Sequence, residues 1–191
     1  YKNSHFIVLD VLPDEVPYEN GLRTFDLGDT QFRWFKNDLE KNKNARHIFI
    51  FLHSPVIPVT HSDFLHIFNP SRRKEFINLL LDYNIRAVFV GHSHKLSLLE
   101  YQSQGKTIVQ VMTNSELKTL DVKEPELVIT SYDPSKIIAG APPHYKEGIR
   151  EIVENSAPHI KKYFMCGMPG YLIVVVNKDK ITINSFRGVT K

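Results

Sequence analysis

The sequence predicts a mixed α/β fold, and three patterns carry that prediction. Two short apolar runs, residues 48–52 and 87–90, flank a helical pattern, which is the grammar of a β-α-β unit. Both runs stop abruptly at histidine-bearing turns, His53-Ser54-Pro55 and Gly91-His92-Ser93-His94. Beyond residue 95 the pattern changes to strand pairs around short turns, 96–102 with 107–112 and 171–176 with 181–186, as antiparallel hairpins require.

The elements follow in order. Residues 6–11 form an apolar run broken by Asp10 and closed by Pro13, a short buried strand. A polar loop, 13–28, leads to a helix that starts near Asp29 or Thr30, either of which suits the N-cap, and runs to about Lys43. Phe32, Phe35 and Leu39 recur at helical spacing, with Trp34 beside them, and are expected in the core. Residues 48–52 are continuously apolar, so that strand should be covered on both faces. Asn69-Pro70 reads as a cap followed by proline at the first helical position. The helix beyond it sets Phe76, Leu79, Leu80 and Tyr83 on one face and can end at Asn84. The crossover to 87–90 should be right-handed and the two strands parallel. Residues 113–169 are too long for an ordinary connection; with one helix near 146–155, they are expected to form a lid or specificity insertion, with 1–191 all belonging to one domain.

Composition narrows the function classes. The 191 residues are 42% hydrophobic, enough for one core. Lys and Arg number 24 against 21 Asp and Glu, a net charge of +3 without a basic stripe, so no nucleic-acid tract is expected. The one basic run, Arg72-Arg73-Lys74, reads as a solvated helix start. Every apolar run is strand-sized, so no membrane segment is expected. A single cysteine, Cys166, permits no internal disulfide, leaves the compartment open, and is expected to serve as small packing material. The chain opens at Tyr1-Lys2-Asn3-Ser4 without a leader and reads as a segment of a longer protein.

His53 and His92 each follow the carboxyl end of an apolar strand, the edge where ligands gather in open α/β sheets. Neighbouring strands lie about 5 Å apart, so two such imidazoles can share one metal ion. Gly91 is expected to turn the backbone before His92, and His94 to reach a second ion. Neutral imidazole suits zinc, iron and manganese. Alone, a strand-end histidine is more often a hydrogen-bonded structural residue. An ordered pair of apolar strands ending in His-Ser-Pro and Gly-His-Ser-His is much more specific.

That order resembles the last two metal motifs of the calcineurin-like metallophosphoesterases. The helix with Gln31, Trp34 and Leu39 is similar to the one preceding the strand-end histidine in cyclic-nucleotide-phosphodiesterase-like and purple-acid-phosphatase-like members, and 170–186 resembles their closing hairpin. The resemblance covers most of 6–112 and 171–187. It implies an α-β-β-α sandwich, two divalent ions (Mn, Fe or Zn), and hydrolysis of a phosphomonoester or phosphodiester substrate. It also implies that His53 and His92 bind the second metal and His94 the first. The family's earlier Asp-x-His, Gly-Asp and Gly-Asn-His motifs do not occur here in order, and Gly28-Asp29 opens a helix instead of ending a strand. The chain is therefore expected to be the carboxy-terminal half of a domain, partnered by an upstream half, inactive alone and with no catalytic residue of its own. His61 and His66, on the loop leaving the metal edge, are candidate substrate contacts. The alternative is a non-catalytic phosphoesterase-like scaffold for protein binding.

Overall fold

A computed structural model of the chain describes residues 3–11, 18–19, 22–23, 26–60, 63, 70–83, 85–113, 128–143, 145–167 and 170–187. In chain order the elements are β1 (Ser4–Leu9), β2 (Tyr18–Glu19), β3 (Leu22–Arg23), α1 (Asp29–Lys41), β4 (His47–Leu52), α2 (Pro70–Asp82), β5 (Ile85–Val90) and β6 (Leu96–Ser103). They continue as β7 (Lys106–Met112), α3 (Pro134–Gly140), α4 (Lys146–Ser156), β8 (Ile160–Cys166), β9 (Gly170–Asn177) and β10 (Lys180–Arg187). The main sheet has six strands in the order β1-β4-β5-β7-β6-β8. β1, β4, β5 and β7 run parallel, while β6 and β8 are antiparallel to their neighbours. β9 and β10 form a separate antiparallel hairpin, as do the short β2 and β3.

Period-two alternation sorts the central strands into two faces. Ile7, Leu9, Ile48, Ile50, Leu52 and Val88 join one core with Phe32, Phe35 and Leu39 of α1 and Phe76 and Leu80 of α2. Phe35 is fully buried, its ring 5.4 Å from Phe76 and 6.4 Å from Phe32 between centroids. The opposite face is a phenylalanine ladder: Phe6 stacks on Phe49 at 5.3 Å, and Phe51 on Phe89 at 4.9 Å. Phe49 is buried, but Phe6 is 50% and Val8 74% exposed. The β9–β10 hairpin lies against this second face. Its tip is held at the foot of β4, where His47 Nε2 donates to the Lys178 carbonyl and Arg46 pairs with Asp179 at 3.0 Å. Between hairpin and sheet lies a cavity of about 830 Å³, walled by Phe6, Phe49, Phe51, Phe89 and Tyr171 and reaching His53.

Several expectations shift. β1 begins and ends two residues earlier than the apolar run suggested, and α1 stops at Lys41. Gly28, at φ 67°, occupies the N-cap position of α1 without a side-chain cap. Asp29 instead lies in the first turn, where a negative charge favours the helix amino end, and pairs with Arg72. Trp34 is 49% exposed, not core: it sits about 100° around the helix from Phe35, off the buried stripe. Arg73, expected in solvent, is 5% exposed. Asn69 and Asn84 lie outside the described residues. Two elements inside 113–169 carried no expectation, α3 and β8. Asp133 caps α3, accepting from the Ser135 amide at 3.0 Å, with Pro134 at the first helical position. β8 extends the main sheet beyond β6, with Lys162 pairing Glu100 at 3.0 Å and Cys166 buried. No described helix is long and apolar enough to cross a membrane.

The helix-side core makes one expectation measurable. Phe35→Ala removes a fully buried ring between two others and should cost about 3–5 kcal/mol in denaturant unfolding. A loss below about 1 kcal/mol would contradict the packing described.

Candidate metal centre

β4 and β5 are parallel with Phe51 opposite Phe89, so their carboxyl ends open at one edge. The Gly91 amide donates to the His53 carbonyl at 2.9 Å, which continues the pairing past both strands. His53 Nε2 then lies 3.0 Å from His92 Nδ1, with the rings edge to face at 89°. Two Zn–N bonds of about 2.0–2.1 Å at angles of about 90–110° separate their nitrogens by about 2.9–3.4 Å. The pair therefore has the donor atoms and the spacing that a shared ion requires. Without an ion, the same spacing suits one N–H···N hydrogen bond, in which one ring donates and the other accepts.

The turn is made by the histidines themselves. His92 and His94 adopt left-handed backbone, φ 76° and 49°, whereas Gly91, expected to supply that freedom, does not. Left-handed conformation costs a non-glycine residue about 1–3 kcal/mol and persists only where the surroundings impose it. Ser93 supplies the constraint. It is buried between the two histidines, its hydroxyl donates to Asp63 Oδ1, and its amide donates to the Gly91 carbonyl at 3.1 Å.

Asp63 fixes the other loop as well. Its second oxygen accepts from the amides of Val59 at 2.7 Å and Thr60 at 2.8 Å. Burial pushes the Asp63 carboxyl above its ordinary value, against the donors that favour its charge. Gln110, buried on β7, accepts from the Val56 and Ile57 amides at 2.8 and 3.0 Å and donates to the Ile57 carbonyl at 2.9 Å. The segment that leaves His53 is thus buried and bonded through residues 54–60. Sequence reasoning missed Asp63, Ser93 and Gln110. Only Gln110 left a signal, as a lone polar residue inside an apolar strand that must find partners when buried.

His92 is about half-buried. Burial and, after it, the nearby His53 and His94 push its imidazole down to about 4, so it is neutral at ordinary pH. His94 is exposed and near enough for its charge to act on His92. Among the described residues, however, no group of three or more His, Cys, Asp or Glu gathers as a metal site. The structure brings His53 and His92 into contact and leaves His94 at the rim. His61 and His66, the candidate substrate contacts, lie outside the described residues. His159 sits elsewhere, its Nδ1 donating to the Gln102 carbonyl at 3.1 Å.

No protein-family model matches the chain, and no curated protein does. Among solved structures, the chain is similar to one described as PhoD, with 15% identity over 95% of this chain and 38% of that one, at a TM-score of 0.45. It is also similar to GAP50, the anchor in the inner membrane complex of Plasmodium, with 17% identity over 59% of this chain and 33% of that one, at a TM-score of 0.41. The chain thus spans 38% of the first and 33% of the second. Likeness at this level leaves any functional reading to rest on the residues themselves.

The depressed His92 value gives a pH dependence of definite sign. Between about 4 and its ordinary 6.5 the unfolded chain holds a proton on this residue that the folded chain does not. Metal-free stability should therefore fall as pH drops through that window. His92→Asn, which tolerates left-handed backbone, should flatten part of the fall when urea midpoints at pH 7.5 and pH 4.5 are compared. Identical pH slopes in the two proteins would contradict the burial assigned to His92.

Proposed function

We propose that this chain is the carboxy-terminal part of a calcineurin-like metallophosphoesterase domain, which as a whole hydrolyses a phosphomonoester or phosphodiester. The observation that carries the proposal is the 3.0 Å approach of His53 Nε2 and His92 Nδ1 at the carboxyl edge of two parallel strands. The order of the strand-end motifs supports it. So does the bare side of the sheet: β4 is apolar on both faces, yet Phe6 and Val8 beside it remain exposed, as do Tyr171, Ile173 and Val175 on the hairpin. Contiguous apolar exposure of this kind marks a surface meant to be covered. In the proposed sandwich the six-stranded sheet is one layer and β9–β10 begins the second, which the upstream half completes.

In this reading His53 and His92 hold one divalent ion and His94 contributes to another, with the remaining ligands supplied from upstream. Such ions (Mn, Fe or Zn) would lower the pKa of the attacking water and neutralise charge on the phosphoryl oxygens. The chain's own part is positional. Ser93, anchored on Asp63, holds the two flanking histidines in strained backbone, and Gln110 ties the His53 loop to β7. His92 needs no deprotonation at neutral pH before it can coordinate.

The test uses the longer protein with Mn²⁺ and either a chromogenic aryl phosphate or a bis-aryl phosphate. His92→Ala should lower turnover by about 100-fold or more, since even outer-shell changes around metals cost about 10- to 100-fold. The isolated chain should be inactive. Unchanged turnover in His92→Ala would refute the ligand assignment. An upstream half lacking Asp-x-His, Gly-Asp and Gly-Asn-His would favour the scaffold.

A further inference from the structure

We propose that the chain carries a second ligand site, a pocket for a small oxyanion (phosphate or carboxylate) built around Arg73 between α2, β6 and α4. Arg73 belongs to the only basic run in the sequence, yet it is 5% exposed while Lys74 beside it stands in solvent. Its Nη2 donates to the Val56 carbonyl, and its Nη1 is buried with no hydrogen-bond partner. Asp63, the one buried carboxylate among the described residues, is near enough for its charge to favour the Arg73 cation, but its oxygens accept from Ser93, Val59 and Thr60. A buried N–H donor that lacks an acceptor is costly. Burial lowers Arg73 only to about 10, so it stays cationic at neutral pH.

Arg73 lines a cavity of about 420 Å³, within the range of about 300–1,000 Å³ common for small-ligand pockets. Lys74, Asn78, Asn155 and His159 share that lining and add donors suited to an anion. His159 forms a fixed wall, its ring 5.0 Å from that of Tyr101 and its Nδ1 on the Gln102 carbonyl. Glu151 is the one acid in the lining; it is exposed, so water screens its charge far more than that of buried Arg73. A planar guanidinium favours phosphate and carboxylate over other anions because it can donate to two of their oxygens at once. None of these residues belongs to the His53–His92 edge, so the proposal stands apart from the phosphoesterase reading.

Nuclear magnetic resonance of the metal-free chain, with chelator present, tests it by titrating inorganic phosphate and, separately, succinate. At least one should shift the Arg73 Nε–H and Asn155 amide signals saturably, with Kd of about 1 mM or tighter. The tighter of the two identifies the ligand chemistry. Asn155 is exposed, so Asn155→Asp should fold normally and weaken binding about 10-fold by charge repulsion. Arg73→Met should abolish it. The proposal is overturned if neither anion saturates, if shifts appear only at the His53–His92 edge, or if Asn155→Asp binds as tightly as the unmodified chain.

Discussion

One buried carboxylate ties the two loops of the candidate centre together. Asp63 accepts from the Val59 and Thr60 amides on one side and from the Ser93 hydroxyl on the other. Both strand-end turns are thereby fixed to a common point. Strands alone set only the separation of β4 and β5; they do not aim a side chain that lies beyond the last ladder pair. The aim comes from Ser93, which cannot move without taking its hydroxyl from the buried Asp63 Oδ1, a penalty of about 1–3 kcal/mol or more for a charged acceptor. A penalty of that size is comparable to the strain of holding His92 and His94 left-handed, so the constraint can sustain it.

The two faces of the sheet differ in kind. Toward α1 and α2, the packing of Phe35, Phe76 and Leu39 is closed and ordinary. On the other face, Phe6, Phe49, Phe51 and Phe89 stack in a band that ends at the edge where His53 emerges. An apolar band leading to a pair of imidazoles lowers the local dielectric once it is covered, and this strengthens electrostatic interactions at that edge. Covering that face would also deepen the burial that already holds His92 neutral.

Much of this was legible in the sequence, where local pattern decides structure. The apolar runs of β4 and β5, the helix behind Pro70 and both later hairpins follow directly from periodicity and turn residues. α3 was also readable, since Asp133-Pro134 is a capping residue followed by proline at the first helical position. β8 was not: its Ile160-Lys161-Lys162 opening looks solvated, and only pairing with β6 makes it a strand. At the site, the meeting of His53 and His92 was legible because both follow the ends of apolar strands. The posture of His92 was not, because Gly91 invites the turn that the histidines make instead. Asp63 and Gln110 act on backbone groups distant in sequence, and no spacing rule reports such partners. Arg73 escaped for a similar reason: the charge run that suggests solvent says nothing of the helix face each member occupies.

The claim at the centre is that His53 and His92 bind one ion together. X-ray absorption at the zinc edge, on the chain loaded with one equivalent of zinc, addresses it without any assumption about substrate. The account predicts nitrogen ligation near about 2.0 Å with outer-shell scattering from two imidazoles, falling to one in His53→Ala. A spectrum without paired imidazole scattering, or one unchanged by His53→Ala, would contradict it.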